Sequence, residues 1–327
     1  PGSSLSEMEE AAVGIRNTFP AIRVLLLGPA LALVLALVGC DSSTRPPTET
    51  PPEIRLSTDF EGASLGSSSR ISPTTFNLTI RKDTNSDFSR WYSFRVIGGQ
   101  GETLRFHIMN AAEVSAAGAW PFNRPVVSSD GGATWSRIST VLYEGGVFTF
   151  EHTPASGEEW IALNPVYNFS RWTELAAEIS AHPMVDSLVV LTQTVQGRPF
   201  HLLKITDPSV PDTEKGAVWG TARQHPAEVA GSWMAEGLIR WLLGGDPQAA
   251  ELRKRAVFYL MPFMNPDGVA LGNYRVNSLG MNLNREWTNR NPNNSPTVAA
   301  AAQAIEDFVA SGRPFEFFLD FHAYSSL

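Results

Sequence analysis

Four consecutive residues, His225-Pro226-Ala227-Glu228, stand where an apolar run stops and a long amphipathic pattern begins. An imidazole and a carboxylate three positions apart at the start of a helix project to the same side, so both can reach one metal ion, and nitrogen with oxygen suits zinc. Two further polar groups also follow apolar runs. One is Met264-Asn265-Pro266-Asp267-Gly268, leading into Asn273-Tyr274-Arg275 and then Asn282-Leu283-Asn284-Arg285; the other is Asp320-Phe321-His322-Ala323-Tyr324. Ligands of open α/β sheets gather beyond the carboxyl ends of strands, which makes these three places the candidate site. His107, His152, His182 and His201 lack such surroundings and read as ordinary core or surface groups.

The elements that must hold these residues are legible in outline. Residues 216–221, 256–260 and 315–319 are near-continuous apolar runs, separated by helical patterns, as in a buried, largely parallel sheet. Residues 171–181 are helical in composition and 188–194 form a β-branched run. From the corner onward the spacing predicts a helix that buries Trp233, Met234, Gly237, Leu238, Trp241 and Leu242. Pro226 fits its first turn, and Gly244-Gly245-Asp246-Pro247 stops it. Residues 166–327 therefore read as an α/β domain.

Residues 54–165 follow a different rhythm. Tyr92, Phe94 and Val96 alternate with Ser93 and Arg95, and Leu104, Phe106 and Ile108 repeat the pattern between paired glycines at 98–99, 131–132 and 145–146. This predicts a separate antiparallel β-sandwich. Within it, Ser128-Ser129-Asp130-Gly131-Gly132-Ala133-Thr134-Trp135 resembles the Asp-box of sialidases, a hairpin turn in which Asp130 bonds turn amides and Trp135 packs beneath. A β-propeller would need several copies spaced along the chain. One copy predicts a tight hairpin; a glycan-directed relative is the other possibility.

The first fifty residues read as address and tether. Arg16 and Arg23 precede an apolar run over 24–38, shorter than the roughly 20 residues a membrane-spanning helix needs, as in a signal peptide. Leu37-Val38-Gly39-Cys40 resembles a bacterial lipobox, so residues 1–39 are expected to be removed and Cys40 lipidated, with 40–53 as a Ser-, Thr- and Pro-rich linker. A buried helix with a stray cysteine is the alternative. The expected location is the bacterial cell envelope, with inner or outer membrane left open and the lipid anchor as the sole membrane contact. Cys40 is the single cysteine, which excludes a disulfide framework, and a formal net charge of −8 without a basic patch argues against nucleic acid.

Taken together, His225-x-x-Glu228, Asn265-Pro266-Asp267-Gly268, Gly272-Asn273-Tyr274-Arg275, Asn284-Arg285 and a later strand-end His322 resemble the M14 family of zinc carboxypeptidases. The resemblance is to the cytosolic-carboxypeptidase-like branch, which carries a β-sandwich ahead of its catalytic domain. It implies one zinc ion held by His225, Glu228 and His322, three protein ligands with an open position, as in catalytic zinc sites. It gives Asn284 and Arg285 the C-terminal carboxylate of a peptide or protein substrate, Arg275 the oxyanion, and Tyr324 the edge of the substrate groove. A guanidinium suits the first task by clamping a carboxylate through two parallel hydrogen bonds.

Two departures from the family follow. Asn282 stands where many relatives carry an aspartate that receives the ligand histidine's other N–H, which predicts a less basic His225 and weaker zinc binding. The family's general base is a glutamate well beyond the third ligand, expected here beyond Leu327; Glu236, Glu251 and Glu306 lie on helical stretches unsuited to that role. These 327 residues alone are expected to bind metal and turn over poorly. The rival functions are a zinc amidase of cell-wall peptides and a non-catalytic envelope-binding lipoprotein.

Overall fold

Alternation along the first domain resolves into ten short strands: β1 (Arg55–Ser57), β2 (Ser67–Ser72), β3 (Thr75–Thr79), β4 (Ser93–Ile97), β5 (Leu104–Ile108), β6 (Val126–Ser128), β7 (Ser136–Arg137), β8 (Val141–Glu144), β9 (Val147–His152) and β10 (Glu158–Ala162). The structure, a computed structural model, describes residues 53–323. Cys40, with the signal, lipidation and most of the linker expectations, and Tyr324 lie outside the described residues.

The strands form two five-stranded sheets, β1-β4-β10-β6-β7 and β2-β3-β5-β9-β8, in which only β3 and β5 pair in parallel. Tyr92, Phe94 and Val96 from one sheet meet Phe106, Phe148 and Phe150 from the other in a shared core. The Phe94 and Phe106 rings lie 5.7 Å apart and Phe106 and Phe150 5.0 Å apart, so the aromatic positions of the alternation close the sandwich. Residues 128–135 make the predicted hairpin between β6 and β7. Asp130 accepts the Thr134 amide at 2.9 Å, and the Trp135 indole donates to the Gly132 carbonyl at 3.0 Å.

The second domain contains β11 (Val185–Gln193), β12 (Pro199–Ile205), β13 (Gly216–Ala222), β14 (Ala256–Met261) and β15 (Phe315–Phe321), with α1 (Phe169–Ile179), α2 (Val229–Leu243), α3 (Pro247–Arg255), α4 (Pro266–Ala270) and α5 (Pro296–Ala310). The sheet runs β11-β12-β14-β13-β15. β14, β13 and β15 are mutually parallel, whereas β12 pairs antiparallel to both β11 and β14. The described sheet is thus mixed in equal parts. Along β14, Phe258 and Leu260 join a cluster with α1 and α2, while Val257 and Tyr259 join one with α5. Burial on both faces explains why this strand reads as continuously apolar. β15 departs from that expectation, since Phe315, Phe317 and Phe318 are exposed at the edge of the described sheet.

The helix after the corner differs from its predicted phase. α2 buries Val229, Ser232, Ala235, Ile239 and Leu242, with Met234 and Gly237 exposed and Trp233, Leu238 and Trp241 only partly covered. Small residues face inward because the helix comes close to β15: a Cβ on Gly231 would stand 2.5 Å from the Phe321 carbonyl oxygen. The aromatic and methionine spacing that suggested the core face marks the flank instead.

Candidate metal centre

The corner itself is a turn rather than the first turn of α2. Pro226 has no amide, the Ala227 amide bonds the Tyr274 carbonyl at 3.0 Å, and the Glu228 amide reaches back to the His225 carbonyl at 3.2 Å. The backbone donors are therefore committed before the helix begins at Val229, with Glu228 as its N-cap. Arg223 holds this turn from below. It has φ +62°, its buried guanidinium donates to the Pro226 carbonyl at 2.8 Å and to Ser232 Oγ at 2.9 Å, and burial lowers its pKa to about 9.

Three predicted residues converge here. His225 and Glu228 from the turn and His322 from the end of β15 offer ligand atoms that all lie within 4.8 Å of one another. His225 Nδ1 is 2.8 Å from Glu228 Oε1, and His322 Nδ1 is 2.8 Å from Glu228 Oε2. The two outer ring nitrogens face oxygen acceptors: His225 Nε2 meets Asn282 Oδ1 at 2.9 Å, and His322 Nε2 meets Asp320 Oδ2 at 2.8 Å. The Asn282 oxygen assignment is supported by its second bond, from the Asn284 amide at 3.2 Å.

This pattern tests the fit of a cation directly. Acceptors at Nε2 favour the Nε2–H tautomer, which leaves each Nδ1 lone pair aimed at a carboxylate oxygen. Lone pairs do not stay at 2.8 Å from carboxylate oxygens unless a proton or metal lies between, so two imidazoles and one carboxylate form a set that fits zinc. Without metal, a proton on His322 fills that need on its side. Hydrogen bonds to Asp320 and Glu228 raise His322 to about 9. Burial alone would raise the Glu228 carboxyl, but its bonds to His225 and His322 bring it down to about 2.

Asp320, grouped with His322 in the sequence but given no role there, orients that ring. It accepts from Thr221 Oγ1 and Gln224 Nε2, both at 2.8 Å, and its register opposite Thr221 in the parallel β13–β15 pair puts it there. Its signal was available, since Asp320 and His322 are two apart at a strand end and so share a face. Asn282 has a second duty besides orienting His225. It caps the short 3-10 turn Leu283–Arg285, whose buried Leu283 anchors it while Asn284 is half-buried and Arg285 exposed. One side chain thereby ties the metal ligand to the predicted carboxylate-binding pair. Arg275 is half-buried with its guanidinium 5.6 Å from the Phe88 ring, and neither Arg275 nor Arg285 forms an ion pair among the described residues.

Other polar residues prove to be braces. Asp267 of Asn-Pro-Asp-Gly accepts from Thr194, Gln196, Arg198 and Ser278, and Asn265 caps α4 while donating to the Gln224 carbonyl at 3.1 Å. Glu236 is held by Arg171 and Arg240, Glu251 by Arg255 and Glu306 by Arg290.

Residues 172–327 match the zinc carboxypeptidase family of M14 peptidases, and residues 56–163 match the cytosolic carboxypeptidase N-terminal domain. The crystal structure of a metallo-carboxypeptidase from Burkholderia cenocepacia superposes with a TM-score of 0.77 at 34% identity, covering 84% of this chain and 72% of that one. The chain belongs to the M14 zinc carboxypeptidase family. A second solved structure similar to this M14 chain, the metallo-carboxypeptidase from Pseudomonas aeruginosa in complex with (2-guanidinoethylmercapto)succinic acid, gives a TM-score of 0.76 at 29% identity over 84% of this chain and 70% of that one. Cytosolic carboxypeptidase 6 of Homo sapiens is 30% identical over 286 residues, 82% of this chain and 56% of the human protein. The M14 chain described here spans about half the length of the curated relatives it matches. M14 carboxypeptidases are zinc-dependent, in agreement with the donor set above.

Proposed function

We propose that this chain carries the zinc centre and carboxylate-recognition elements of a metallocarboxypeptidase that hydrolyses the last peptide bond of peptides or proteins. The supporting observation is the pair of Nδ1 atoms facing the two oxygens of Glu228 while both Nε2 atoms already have acceptors. His225, Glu228 and His322 would hold one zinc ion per chain. Bound zinc would supply Lewis-acid activation of water and of the scissile carbonyl. Arg285, exposed beside Asn284, clamps the substrate's terminal carboxylate, and Arg275 stands as a preorganised cation for negative charge developing on the carbonyl oxygen. Tyr324 keeps its part in substrate binding in this reading, and turnover requires a general base to move the proton. Lipidation at Cys40 places this activity in the bacterial envelope.

Zinc titration of the purified chain should give a stoichiometry of one, abolished in His225→Ala and His322→Ala. The full-length protein should release the terminal amino acid from a peptide with a free carboxylate and leave its C-terminal amide intact. A chain that takes up no zinc and is indifferent to His225→Ala would instead be an envelope-binding lipoprotein. Release from muropeptides alone would move the substrate to cell-wall peptides.

A further inference from the structure

Asp83 belongs to the loop between β3 and β4 of the sandwich, yet its buried carboxylate serves the other domain. Its Oδ1 accepts the Tyr274 amide at 2.6 Å, and its Oδ2 accepts the Arg275 amide at 2.7 Å and the Val276 amide at 3.3 Å. Three successive amides converging on one anion make a backbone nest, here filled by a side chain 191 positions upstream of Tyr274. The same loop repeats the attachment on either side. Thr84 bonds Asn273 Oδ1 through both its amide and its hydroxyl at 3.1 Å, Asn85 Nδ2 donates to the Ser278 carbonyl at 3.0 Å, and Arg81 donates to the carbonyls of Leu271 and Gly272. Phe88, also in this loop, lies under the Arg275 guanidinium.

The segment so held has no helix or strand of its own between α4 and the turn at Leu283. Its backbone donors have no ladder to join, so its geometry depends on what it is tied to. On its other side it touches the metal corner, because the Tyr274 carbonyl takes the Ala227 amide midway between His225 and Glu228. A cation on a loose loop gives little transition-state stabilisation; its value comes from being fixed beforehand.

We propose that Asp83 is a positioning residue for the catalytic site. Through the amides of residues 274–276 it sets the Arg275 guanidinium and braces the His225–Glu228 turn, which makes the β-sandwich a working part of the site. This rests on the role given to Arg275 under the proposed function. The test is a double-mutant cycle in the full-length zinc-loaded protein with Asp83→Asn, Arg275→Ala and both together, alongside amide hydrogen exchange of residues 274–276 without zinc. Asp83→Asn should keep the parent's zinc stoichiometry, lose protection at those three amides and lower kcat roughly ten- to a hundredfold. In the Arg275→Ala background the same substitution should lower kcat far less, by no more than the brace on the His225–Glu228 turn accounts for. Phe88→Ala, at a partly exposed ring, gives a second cycle that carries the test if Asp83→Asn does not fold; it should lower kcat less, and again only while Arg275 is present. Equal losses in both backgrounds, unchanged amide protection, or an unaltered kcat overturns the proposal. An Arg275→Ala protein as active as its parent overturns the role of Arg275 itself and the proposal with it, and is told apart from additive losses by that single variant.

Discussion

Each candidate ligand histidine is oriented by an oxygen that does not itself face the metal position, and the two oxygens differ in charge. Asp320 is a carboxylate whose pKa, despite burial that would raise it, is lowered by His322, Gln224 and Thr221; Asn282 is a neutral amide. An anionic acceptor makes the imidazole a stronger donor than a neutral one does. Asn282→Asp should therefore tighten zinc binding, and Asp320→Asn should weaken it by about 10–100-fold, as second-shell losses do. Competition against a chromophoric chelator at fixed pH measures both. Equal affinity in all three proteins would mean that these acceptors orient the rings without tuning them.

At the scale of elements, the β6–β7 hairpin is held by the side chains of its own turn, as its sequence motif predicts. Asp130 accepts from the Thr134 hydroxyl at 2.6 Å and its amide, and from Ser128 Oγ at 2.7 Å, and these bonds lower its pKa from 3.8 to about 2. A carboxyl whose folded pKa is depressed contributes stability above its unfolded value and loses it as pH falls through the folded one. The hairpin should hold unchanged above pH 4 and loosen between about pH 4 and 2. The Thr134 amide chemical shift followed by pH titration reads this directly, and in Asp130→Asn that step should vanish. A Thr134 shift that titrates equally in the variant would point to another carboxyl.

At the scale of the molecule, the two domains meet across backbone contacts too close for side chains. Gly272 has φ +65°, and a Cβ there would come within 2.4 Å of the Ala63 carbonyl oxygen, next to the bond from the Gly62 amide to the Ala270 carbonyl at 3.1 Å. Gly272→Ala should cost about 1–3 kcal/mol, from positive φ and the displaced contact together. Thermal denaturation should show a lowered midpoint, and zinc affinity should fall too, because Gly272 opens the segment that bonds Ala227. A midpoint equal to the parent's would mean that the interface yields without strain.

Much of this was legible in the chain. The alternation at Tyr92–Val96 and Leu104–Ile108 determined the sandwich strands, because inward and outward positions of a strand must differ in polarity. The apolar runs placed β13 and β14, and their ends located the polar clusters that became the metal corner. What the local pattern could not determine was phase and partnership. α2 buries its small residues because β15 lies against it, and the corner is a turn because a distant carbonyl takes the Ala227 amide. Asp83 has no local mark of its role at all. Periodicity reports burial averaged along one element, whereas a hydrogen bond between residues 191 positions apart exists only once two domains have packed. The donors of the centre and the Asn282 acceptor were written in the sequence; the partnership of Asp320 with His322, and the loop that holds Arg275, were decided by the tertiary structure.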